Sequence, residues 1–345
     1  MKVLITGSAG FIGNYLVQEL INKGYLVVGI DNLSKSEILK EDWSYYENPR
    51  FKFVSGDAKN VELMKSLIED CDFLIANAAK VGGISYFHKY PYDIIRENEL
   101  LARSAFDAAI WAYKKRKLKR IIVVSSSMIY ESATNFPTKE GDEFKIPPPL
   151  SVYGFQKLCL HYWCKAAYEQ FGLPYTIVVP FNAIGIGEMP NNDGLHVIPD
   201  LIFKILNLKK GEPLTILGDG NQIRHYTYAA DIAKGIRMIL EKIEFSEYYK
   251  SDDNTLNESF HLASPIGHTV LEVAKMIWNK MRKDEFKFRS EKPFRYDVKI
   301  RVPDINKTKK IIGFIATTKL EDVLDHIIDW YVLKFKEKDY EKRTF

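Results

Sequence analysis

The chain has 345 residues, of which 46% are apolar and 27% charged, and its formal net charge is +4. A chain of this length can bury a large core without disulfides or a structural metal, and its three irregularly spaced cysteines indicate neither. The weak positive charge does not indicate nucleic-acid binding, and no run of about 18 apolar residues predicts a membrane span. A strand-like run begins at Lys2 with no signal peptide before it, so we expect a cytoplasmic protein.

Six short apolar runs, rich in β-branched residues, predict buried parallel strands in the first half of the chain. They are Val3–Thr6, Leu26–Ile30, Phe51–Val54, Phe73–Ala76, Ile121–Ser125 and Thr176–Pro180. Helical patterns separate these runs, and the first has Ile12, Leu16 and Leu20 at helical spacing with Gly24 at its end. The alternation predicts an α/β fold of the Rossmann type, with a doubly wound parallel sheet.

Beyond Pro180 the sequence changes to loops rich in Gly, Pro, Asn and Asp, with shorter helical patterns between them. We interpret this part as a smaller mixed α/β lobe that binds substrate, with the helical pattern of Ala230–Lys242 returning to the first domain. The lysine-rich end of the chain is expected to be a solvated tail. The predicted parts are the Rossmann domain 1–180, joined by 223–243, the substrate lobe 181–222 and 244–335, and the tail 336–345.

A glycine-rich turn, Thr6-Gly7-Ser8-Ala9-Gly10-Phe11-Ile12-Gly13, joins the first strand to the first helix. Glycines permit a tight turn and close approach of the backbone to a pyrophosphate, which the free N–H groups of the helix N-terminus attract. The spacing G-x-x-G-x-x-G differs by one residue from the G-x-G-x-x-G pattern of dinucleotide-binding folds. The predicted contacts from this turn are Gly7, Gly10, Phe11, Ile12 and Gly13.

Asp31 ends the second strand, 18 residues after Gly13. A carboxylate there can accept both ribose hydroxyls of an adenosine and repels a 2′-phosphate, so it predicts NAD rather than NADP. Other strand ends lie at the same edge of the sheet, where open α/β folds bind ligands. The remaining predicted cofactor contacts are Asn32, Asp57, Ala58, Ala78, Ala79, Lys80 and Asn98.

Ser126, Tyr153 and Lys157 form a predicted catalytic group. Tyr153 and Lys157 are four positions apart and therefore share one face of a helix. A lysine ammonium stabilises a phenolate, so we expect a lowered pKa for Tyr153, which could then act as a base near neutral pH. Ser126, at the end of the fifth strand, can relay the proton. Such a group removes a hydroxyl proton while hydride leaves the same carbon for a nicotinamide, and Tyr153 and Lys157 are also predicted cofactor contacts.

Over nearly its whole length the chain resembles the extended short-chain dehydrogenases/reductases of the nucleotide-sugar epimerase and dehydratase group. The motifs that carry the resemblance are Thr6–Gly13, Asp31-Asn32-Leu33, Gly56-Asp57, Ser125–Tyr130, Tyr153–Lys157, Phe181-Asn182, Gly218–Arg224 and Arg301–Asp304. The resemblance implies NAD as cofactor and a nucleotide sugar as substrate. It also implies that Asn182, Arg224 and Arg301 hold the diphosphate, for which guanidinium groups are well suited.

The chain does not resemble every branch of this group equally well, and the branches catalyse different reactions. Sugar 4,6-dehydratases of this group place an acid and a base where this chain has Ser127 and Met128, which can supply neither. Two segments, Lys80–Ile84 and His196–Pro199, resemble the GDP-fucose synthase branch. Met128, however, cannot replace the cysteine base of that branch, and Asp31 disfavours its NADPH. We interpret His196 as a polar lid residue or a hydrogen-bond partner of the substrate.

The resemblance therefore implies chemistry that needs only Ser126, Tyr153, Lys157 and NAD. The 4-epimerases fit, since they oxidise C4, let the keto sugar rotate and return the hydride to its other face. We predict a nucleotide-sugar 4-epimerase acting on a UDP-hexose; a 4-keto-sugar reductase or a GDP-fucose synthase-type enzyme stays open, and a 4,6-dehydratase or a non-catalytic NAD-binding regulator is disfavoured. The predicted substrate contacts are Ser127, Met128, Asn182, His196, Arg224 and Arg301.

Two further features of the sequence concern the substrate contacts and the oligomeric state. Pro180 and His225 stand where this group usually has arginine and aspartate, which affects substrate contacts rather than the central chemistry. The helical patterns of Tyr92–Lys114 and Val152–Phe171 carry apolar residues on more than one face. Members of the group pair such helices across a dimer axis, so we expect a homodimer.

Overall fold

The computed structural model describes residues 1–35, 41–188, 195–242, 259–282, 284–293 and 297–343. Its strands are β1 Lys2–Thr6, β2 Leu26–Asp31, β3 Phe51–Ser55, β4 Phe73–Ala76, β5 Arg120–Val124, β6 Tyr175–Pro180, β7 Ala183–Ile184, β8 Leu214–Leu217, β9 Ile223–Arg224, β10 Thr227–Tyr228, β11 Ser259–Leu262, β12 His268–Thr269 and β13 Phe288–Glu291. Its α-helices are α1 Phe11–Asn22, α2 Val61–Ile68, α3 Ile84–Lys89, α4 Pro91–Lys114, α5 Val152–Phe171, α6 Val197–Asn207, α7 Ala229–Lys242, α8 Val270–Met281, α9 Asn306–Ile312 and α10 Leu320–Arg343. Short 3-10 helices occur at Ser44–Glu47, Ser127–Tyr130 and Asp142–Phe144.

Seven strands form one parallel sheet in the order β3-β2-β1-β4-β5-β6-β11. The register pairs Leu4 of β1 with Val28 of β2 on one side and with Leu74 of β4 on the other. The strand order reverses between β1 and β4, and in open α/β sheets such a reversal opens a ligand crevice at the carboxyl ends of the strands. The Rossmann-type fold predicted from the sequence is confirmed.

Successive residues of each strand point to opposite faces of the sheet, so two apolar cores form. Val3 and Ile5 belong to the core under α1 and α7, whereas Leu4 belongs to the core under α4 and α5. Helix α7 packs against α1, and an ion pair of 2.6 Å between Arg237 and Glu19 joins them. The helical pattern of residues 230–242 thus returns to the sheet, and the division of the chain into two lobes stays a prediction.

The remaining strands and several helices form smaller units outside the seven-stranded sheet. Three two-stranded pairs form, β10 with β7, β12 with β9 and β13 with β8. Helices α6, α8 and α10 pack against one another. Among the residues described, no helix combines the length and apolar character that a membrane span requires.

The C-terminal segment belongs to α10, which continues as a helix to Arg343. Leu324, Tyr331 and Phe335 on this helix are buried. Lys334, at the start of the lysine-rich run, is only 8% exposed and forms ion pairs with Glu41 and Glu337. Beyond it Lys336 and Glu337 are exposed, and the solvated tail of residues 336–345 stays a prediction.

Candidate active site

The glycine turn between β1 and α1 brings the backbone close to the crevice. Gly7 adopts a φ of +69°, which favours glycine, and its N–H donates to Ile30 O at 2.9 Å. A Cβ on Gly13 would stand 2.0 Å from the Gly7 carbonyl oxygen, so only glycine fits there. Gly10 is the N-cap of α1, and no side chain caps this helix end. The first N–H groups of α1 can therefore bind an anion.

Asp31 is placed at the end of β2 by backbone hydrogen bonds to its carboxylate. Oδ2 accepts from Ala9 N at 3.1 Å, and Oδ1 accepts from Leu33 N at 2.8 Å. Burial raises the pKa of Asp31, while the N–H groups that donate to it lower that pKa in part. A half-buried carboxylate beside a glycine turn fits the ribose diol of an adenosine, as predicted for NAD.

A cavity of about 690 Å³ opens at the carboxyl edge of the sheet, a size that suits a cofactor or small-molecule site. It brings together most of the residues predicted from the sequence. Those that line it are Gly7, Gly10, Phe11, Ile12, Asp31, Asn32, Asp57, Ala58, Ala78, Ala79, Lys80, Ser126, Ser127, Met128, Tyr153, Lys157, Asn182, His196 and Arg301. Three predicted residues, Gly13, Asn98 and Arg224, do not line this cavity.

Asn98 supports the loop after β4 instead of facing the cavity. Its Oδ1 accepts from Lys80 N at 2.6 Å and its Nδ2 donates to Lys80 O at 3.1 Å, and the side chain is buried. The side-chain amide thus both accepts from and donates to the backbone of Lys80. In the same loop, the N–H groups of Asn77 and Ala78 both donate to the hydroxyl of Thr6. These bonds fix the wall of the cavity at the point where the sheet order reverses.

Tyr153 is the buried phenol at the centre of the predicted catalytic group. Burial raises its pKa to about 12, while a hydrogen bond with Ser126 and the positive charge of Arg301 act in the opposite direction. The Ser126 hydroxyl also accepts from Met128 N at 3.2 Å, which caps the 3-10 helix that follows β5. The pairing of serine and tyrosine follows the sequence prediction. The lowered pKa expected for Tyr153 is wrong for the protein alone, since loss of water outweighs the favourable contacts.

Lys157 lies beside this phenol and is itself buried. Its Nζ donates to Val124 O at 3.0 Å and lies 5.8 Å from the centre of the Tyr153 ring. Burial lowers the pKa of Lys157 to about 8, because the ammonium loses its hydration without gaining a carboxylate. The lysine therefore titrates within the working range of an enzyme rather than acting as a fixed charge.

Phe87, on α3, is a cavity residue that the sequence reasoning missed. Its ring stacks on Tyr153, with 4.5 Å between the ring centres and 9° between the ring planes. Phe87 and Met128 cover the catalytic phenol on its apolar side. A single aromatic residue outside any motif gives no signal in the sequence, and only the packing of α3 brings it to the tyrosine.

Two buried donors in the cavity wall, Arg301 and Tyr226, suit an anionic ligand. Arg301 Nε, Tyr226 Oη and Asn182 Oδ1 are buried without a hydrogen-bond partner. Burial, and to a lesser degree the charge of Arg224, lowers the pKa of Arg301 to about 9. A buried guanidinium that lacks a full set of partners is suited to a phosphate oxygen. Tyr226, absent from the sequence prediction, lies two residues after Arg224 and lines the cavity.

Arg224 itself lies behind this wall. Its guanidinium is within 3.4 Å of Asp297 Oδ1 and donates to Ile223 O at 2.9 Å. It is 8% exposed and does not line the cavity, in contrast with the diphosphate contact predicted for it. It contributes positive charge near Tyr226 and Arg301 through space.

His196 lines the cavity next to Glu188, with 2.6 Å between Nδ1 and Oε1. Burial lowers the pKa of His196, but the Glu188 carboxylate outweighs this, so the pKa is raised overall. Burial opposes ionisation of Glu188, yet the imidazole lowers the pKa of that carboxyl. The two residues thus form a polar pair in the cavity wall at the N-terminus of α6.

Residues 3–251 match the model of the NAD dependent epimerase/dehydratase family, which covers more than half of the chain. The chain belongs to this family. The match confirms both the resemblance drawn from the motifs and NAD as the cofactor of the family.

Individual relatives in the family have different reactions. YtcB of Bacillus subtilis, an uncharacterised UDP-glucose epimerase, is 29% identical over 341 residues, covering 95% of this chain and 97% of that protein. UDP-glucuronic acid decarboxylase 1 of Danio rerio is 26% identical over 334 residues, covering 96% of this chain and 72% of that protein. Family membership thus establishes a nucleotide-sugar enzyme of the epimerase/dehydratase type. The individual reaction has to be inferred from the residues of the site.

Among solved structures, a UDP-glucuronic acid 4-epimerase variant from Bacillus cereus superimposes with a TM-score of 0.80 at 26% identity, covering 96% of this chain and 99% of that one. That crystal contains UDP-4-deoxy-4-fluoro-glucuronic acid and NAD.

Proposed function

We propose that this protein is an NAD-dependent 4-epimerase of a nucleotide sugar, and that the sugar is a UDP-hexose. The observation that carries the proposal is that buried Tyr153 and Lys157 and partly buried Ser126 line the same cavity as Asp31. This arrangement supports oxidation and re-reduction of one carbinol carbon. The UDP-hexose rests on the frequency of that substrate among 4-epimerases and on the UDP-sugar relatives.

The cofactor end of the cavity fits NAD. Gly7 and Gly10 leave room for a pyrophosphate at the start of α1, and Asp31 offers a carboxylate to a ribose diol. In the proposed enzyme Asp57 and Ala58 contact the adenosine end, whereas Ala78, Ala79 and Lys80 form the wall that Asn98 supports. Bound NAD supplies a hydride acceptor that returns the hydride to the same carbon.

At the catalytic end, Tyr153 takes the proton from the C4 hydroxyl and later returns it. Ser126 holds the same oxygen and favours the phenolate, as its effect on the pKa of Tyr153 indicates. Lys157 contributes positive charge when protonated. The apolar cover of Phe87 and Met128 keeps water away from the phenol, which strengthens these polar contacts.

The part of the cavity wall that contains Arg301 and Tyr226 binds the diphosphate in this proposal. Arg301 and Tyr226 supply buried donors, and Asn182 adds an amide at the same wall. The His196–Glu188 pair adds a donor near the N-terminus of α6. Because the second wall holds the substrate through its diphosphate, a keto sugar can turn and present its other face.

Ser127 and Met128 argue against the other reactions of this family. Elimination of water requires an acid and a base beside the sugar, and neither a primary alcohol nor a thioether supplies them. Met128 Sδ instead lies 2.8 Å from a guanidinium nitrogen of Arg301. The thioether also has no proton for exchange at C3 or C5, as a GDP-fucose synthase-type reaction requires.

The proposed enzyme is a homodimer formed through α4 and α5. On α4 the exposed positions include Tyr92 and Leu100, and on α5 they include Phe155 and Tyr162. The two helices pack side by side, and the exposed apolar side chains form a stripe that continues along α5 and is interrupted on α4 by the exposed Arg96. Exposed apolar stripes of this kind are typical of protein interfaces.

Purified protein incubated with nucleotide sugars tests the proposed function. UDP-glucose, UDP-galactose, their N-acetyl forms and GDP-mannose are each supplied without added cofactor, and NMR follows the C4 proton. We expect C4 inversion of a UDP-hexose, with NAD released only on denaturation. Turnover that occurs only with a 4-keto sugar and added reduced cofactor would identify a reductase instead.

A further inference from the structure

A second polar network lies directly behind the catalytic wall and takes no part in the proposed chemistry. Each of its side chains is at most 3% exposed. Its members come from the residue after β5, from α5 and β11, and from the two 3-10 helices between β5 and α5. They are Ser125, His161, Glu143, Tyr130 and His261.

One half of the network connects Glu143 to the end of β5. His161 Nδ1 lies 3.1 Å from Glu143 Oε1, and His161 Nε2 lies 2.9 Å from Ser125 Oγ. An ionised Glu143 accepts from Nδ1–H of His161. The Ser125 hydroxyl also lies 3.4 Å from Lys157 O, so it contacts two residues of α5.

The other half of the network centres on the hydroxyl of Tyr130, which lies between Glu143 and His261. Tyr130 has one hydroxyl hydrogen, yet its oxygen lies 3.1 Å from Glu143 Oε2 and 2.8 Å from His261 Nε2. His261 Nδ1 lies 2.8 Å from the Asp304 carbonyl oxygen, which can only accept, so Nδ1 carries a hydrogen. The Gly141 N–H donates to Glu143 Oε2 at 2.7 Å, so that oxygen already serves as an acceptor.

With Glu143 as a carboxylate, one assignment of hydrogens satisfies the contacts of Tyr130 and His261. Tyr130 donates to Glu143, and His261 Nε2 donates to Tyr130, so both nitrogens of His261 are protonated. We propose that Glu143 and His261 form a buried ion pair bridged by the Tyr130 hydroxyl, and that this pair positions the catalytic segment through His161 and Ser125. Buried charges are stable when they are paired and hydrogen-bonded in this way.

The charges around the network support this assignment. Burial opposes ionisation of Glu143, but the hydrogen bond and charge of His161 and two backbone N–H groups lower its pKa overall. Glu140 and Asp142 add negative charge near Tyr130. Glu140 also lies beside His261, since its Oε1 accepts from His261 N at 3.0 Å. A cationic His261 is thus surrounded by negative charge.

The link to the catalytic group is short, and this part of the proposal rests on the proposed function. Ser125 stands between Val124, whose carbonyl accepts from Lys157 Nζ, and Ser126, whose hydroxyl bonds to the catalytic tyrosine. His161 lies one helical turn after Lys157 on α5. The network therefore fastens the end of β5 to α5 at the residue between the two catalytic contacts. Glu143, His161 and His261 are positioning residues in this scheme.

Histidine NMR tests the ion pair without any substrate. We expect the ¹⁵N shifts of His261 to report two protonated nitrogens at about pH 7, with His261→Gln used to assign the signal. Glu143→Gln removes the negative charge without changing shape, and His261 should then become neutral with its hydrogen on Nδ1. A neutral His261 in the unaltered protein would overturn the ion pair. His268→Gln, at a partly exposed histidine on β12, is the matched control and should leave the His261 signal unchanged.

The positioning role has two readouts. Glu143→Gln should lower kcat by roughly 10–100-fold with KM changed less than threefold, because small displacements of a catalytic group act on turnover. It should also move the titration of Lys157, followed by ¹³Cε NMR, away from its pKa of about 8. Unchanged kcat together with unchanged Lys157 titration would overturn the positioning role. If the unaltered protein converts none of the sugars, the proposed epimerase fails, whereas the titration still tests the network.

A double substitution tests the pairing of Glu143 with His261 through stability, independently of activity. Glu143→Gln and His261→Gln should each lower the thermal midpoint, because each leaves a charged or polar partner unmatched. The combined variant should lose less than the sum of the two losses, since it removes both charges together. Additive losses would contradict a direct pairing of Glu143 with His261.

Discussion

At Tyr153, the proposed catalytic base, burial and polar contacts have opposite effects on the pKa of the phenol. The Ser126 hydroxyl and the Arg301 charge favour the phenolate of Tyr153, yet loss of water keeps the pKa at about 12. The sequence places Tyr153 and Lys157 on one helical face, and the structure bears out this placement. Sequence spacing contains no information on desolvation, so the sign of the pKa shift could not be predicted from it.

Replacement of Tyr153 by phenylalanine tests its role as the acid and base of C4. Tyr153→Phe should lower kcat by roughly 10²–10⁴-fold, since it removes the proton acceptor and keeps the ring that stacks on Phe87. NAD content, measured after denaturation, should stay at the level of the unaltered protein. Tyr162→Phe, on the same helix with 56% of its side chain exposed, is the matched control. Near-normal turnover of Tyr153→Phe would remove this residue from the mechanism.

The pKa of Lys157 predicts the pH profile. In the proposed enzyme the most active form has Tyr153 ionised, with a pKa of about 12, and Lys157 protonated, with a pKa of about 8. Below pH 8 the lysine is charged, so kcat should rise about tenfold per pH unit with the phenolate fraction. Above pH 8, loss of the lysine proton offsets the gain in phenolate, and kcat should become level.

Initial rates of the unaltered protein and two variants between about pH 6 and 10 check this profile. Lys157→Arg keeps its charge throughout this range and should show no bend near pH 8. Lys157→Met has no proton to lose and should likewise rise without a bend, from a lower rate. A bend near pH 8 that persists in both variants would assign it to another group.

The elements of the sheet could largely be predicted, because buried parallel strands are continuous apolar runs. The sequence predicts β1 to β6 within one residue at either end. The seventh strand, β11, has the sequence Ser259-Phe260-His261-Leu262, and its alternating polar residues give no such run. All four residues are buried, and His261 forms a hydrogen bond with Tyr130 inside the protein. Tertiary partners thus determine this strand.

In the glycine turn, too, the sequence predicts where residues lie but not what each of them does. The sequence predicts a cofactor contact for each glycine, but Gly13 serves the packing of α1 on β1, where a Cβ would meet Gly7 O at 2.0 Å. A Cβ on Gly10 would stand 3.3 Å from the same oxygen, which is tight but tolerable. Spacing places both glycines in the turn, and only the backbone geometry separates their roles.

Alanine substitutions at these two positions measure the difference. Gly13→Ala should lower the free energy of unfolding by roughly 2–4 kcal/mol, since a backbone oxygen must shift. Gly10→Ala should lower it by about 1 kcal/mol, the typical effect of alanine at an N-cap. Urea unfolding followed by circular dichroism gives both values. Equal losses in the two variants would contradict the close packing at Gly13.

At the scale of the whole molecule, the exposed apolar stripe of α4 and α5 needs a partner that covers it. On α5 the exposed positions Phe155, Tyr162 and Ala166 follow one another at helical spacing, whereas on α4 the exposed Arg96 stands between Tyr92 and Leu100. A two-fold axis at this stripe would pair the same two helices of each copy, since an isologous interface uses one surface twice. The catalytic helix α5 would then be supported from both sides.

Light scattering of the purified protein tests this assembly. One chain has a mass of 39.9 kDa, so the dimer should measure about 80 kDa. Tyr162→Asp places an unpaired charge in the stripe and should shift the mass to that of one chain, because burial of such a charge is unfavourable. Leu333→Asp, at a residue 53% exposed on α10, is the control and should stay dimeric. A monomeric unaltered protein, or an equal response of both variants, would contradict a dimer through α4 and α5.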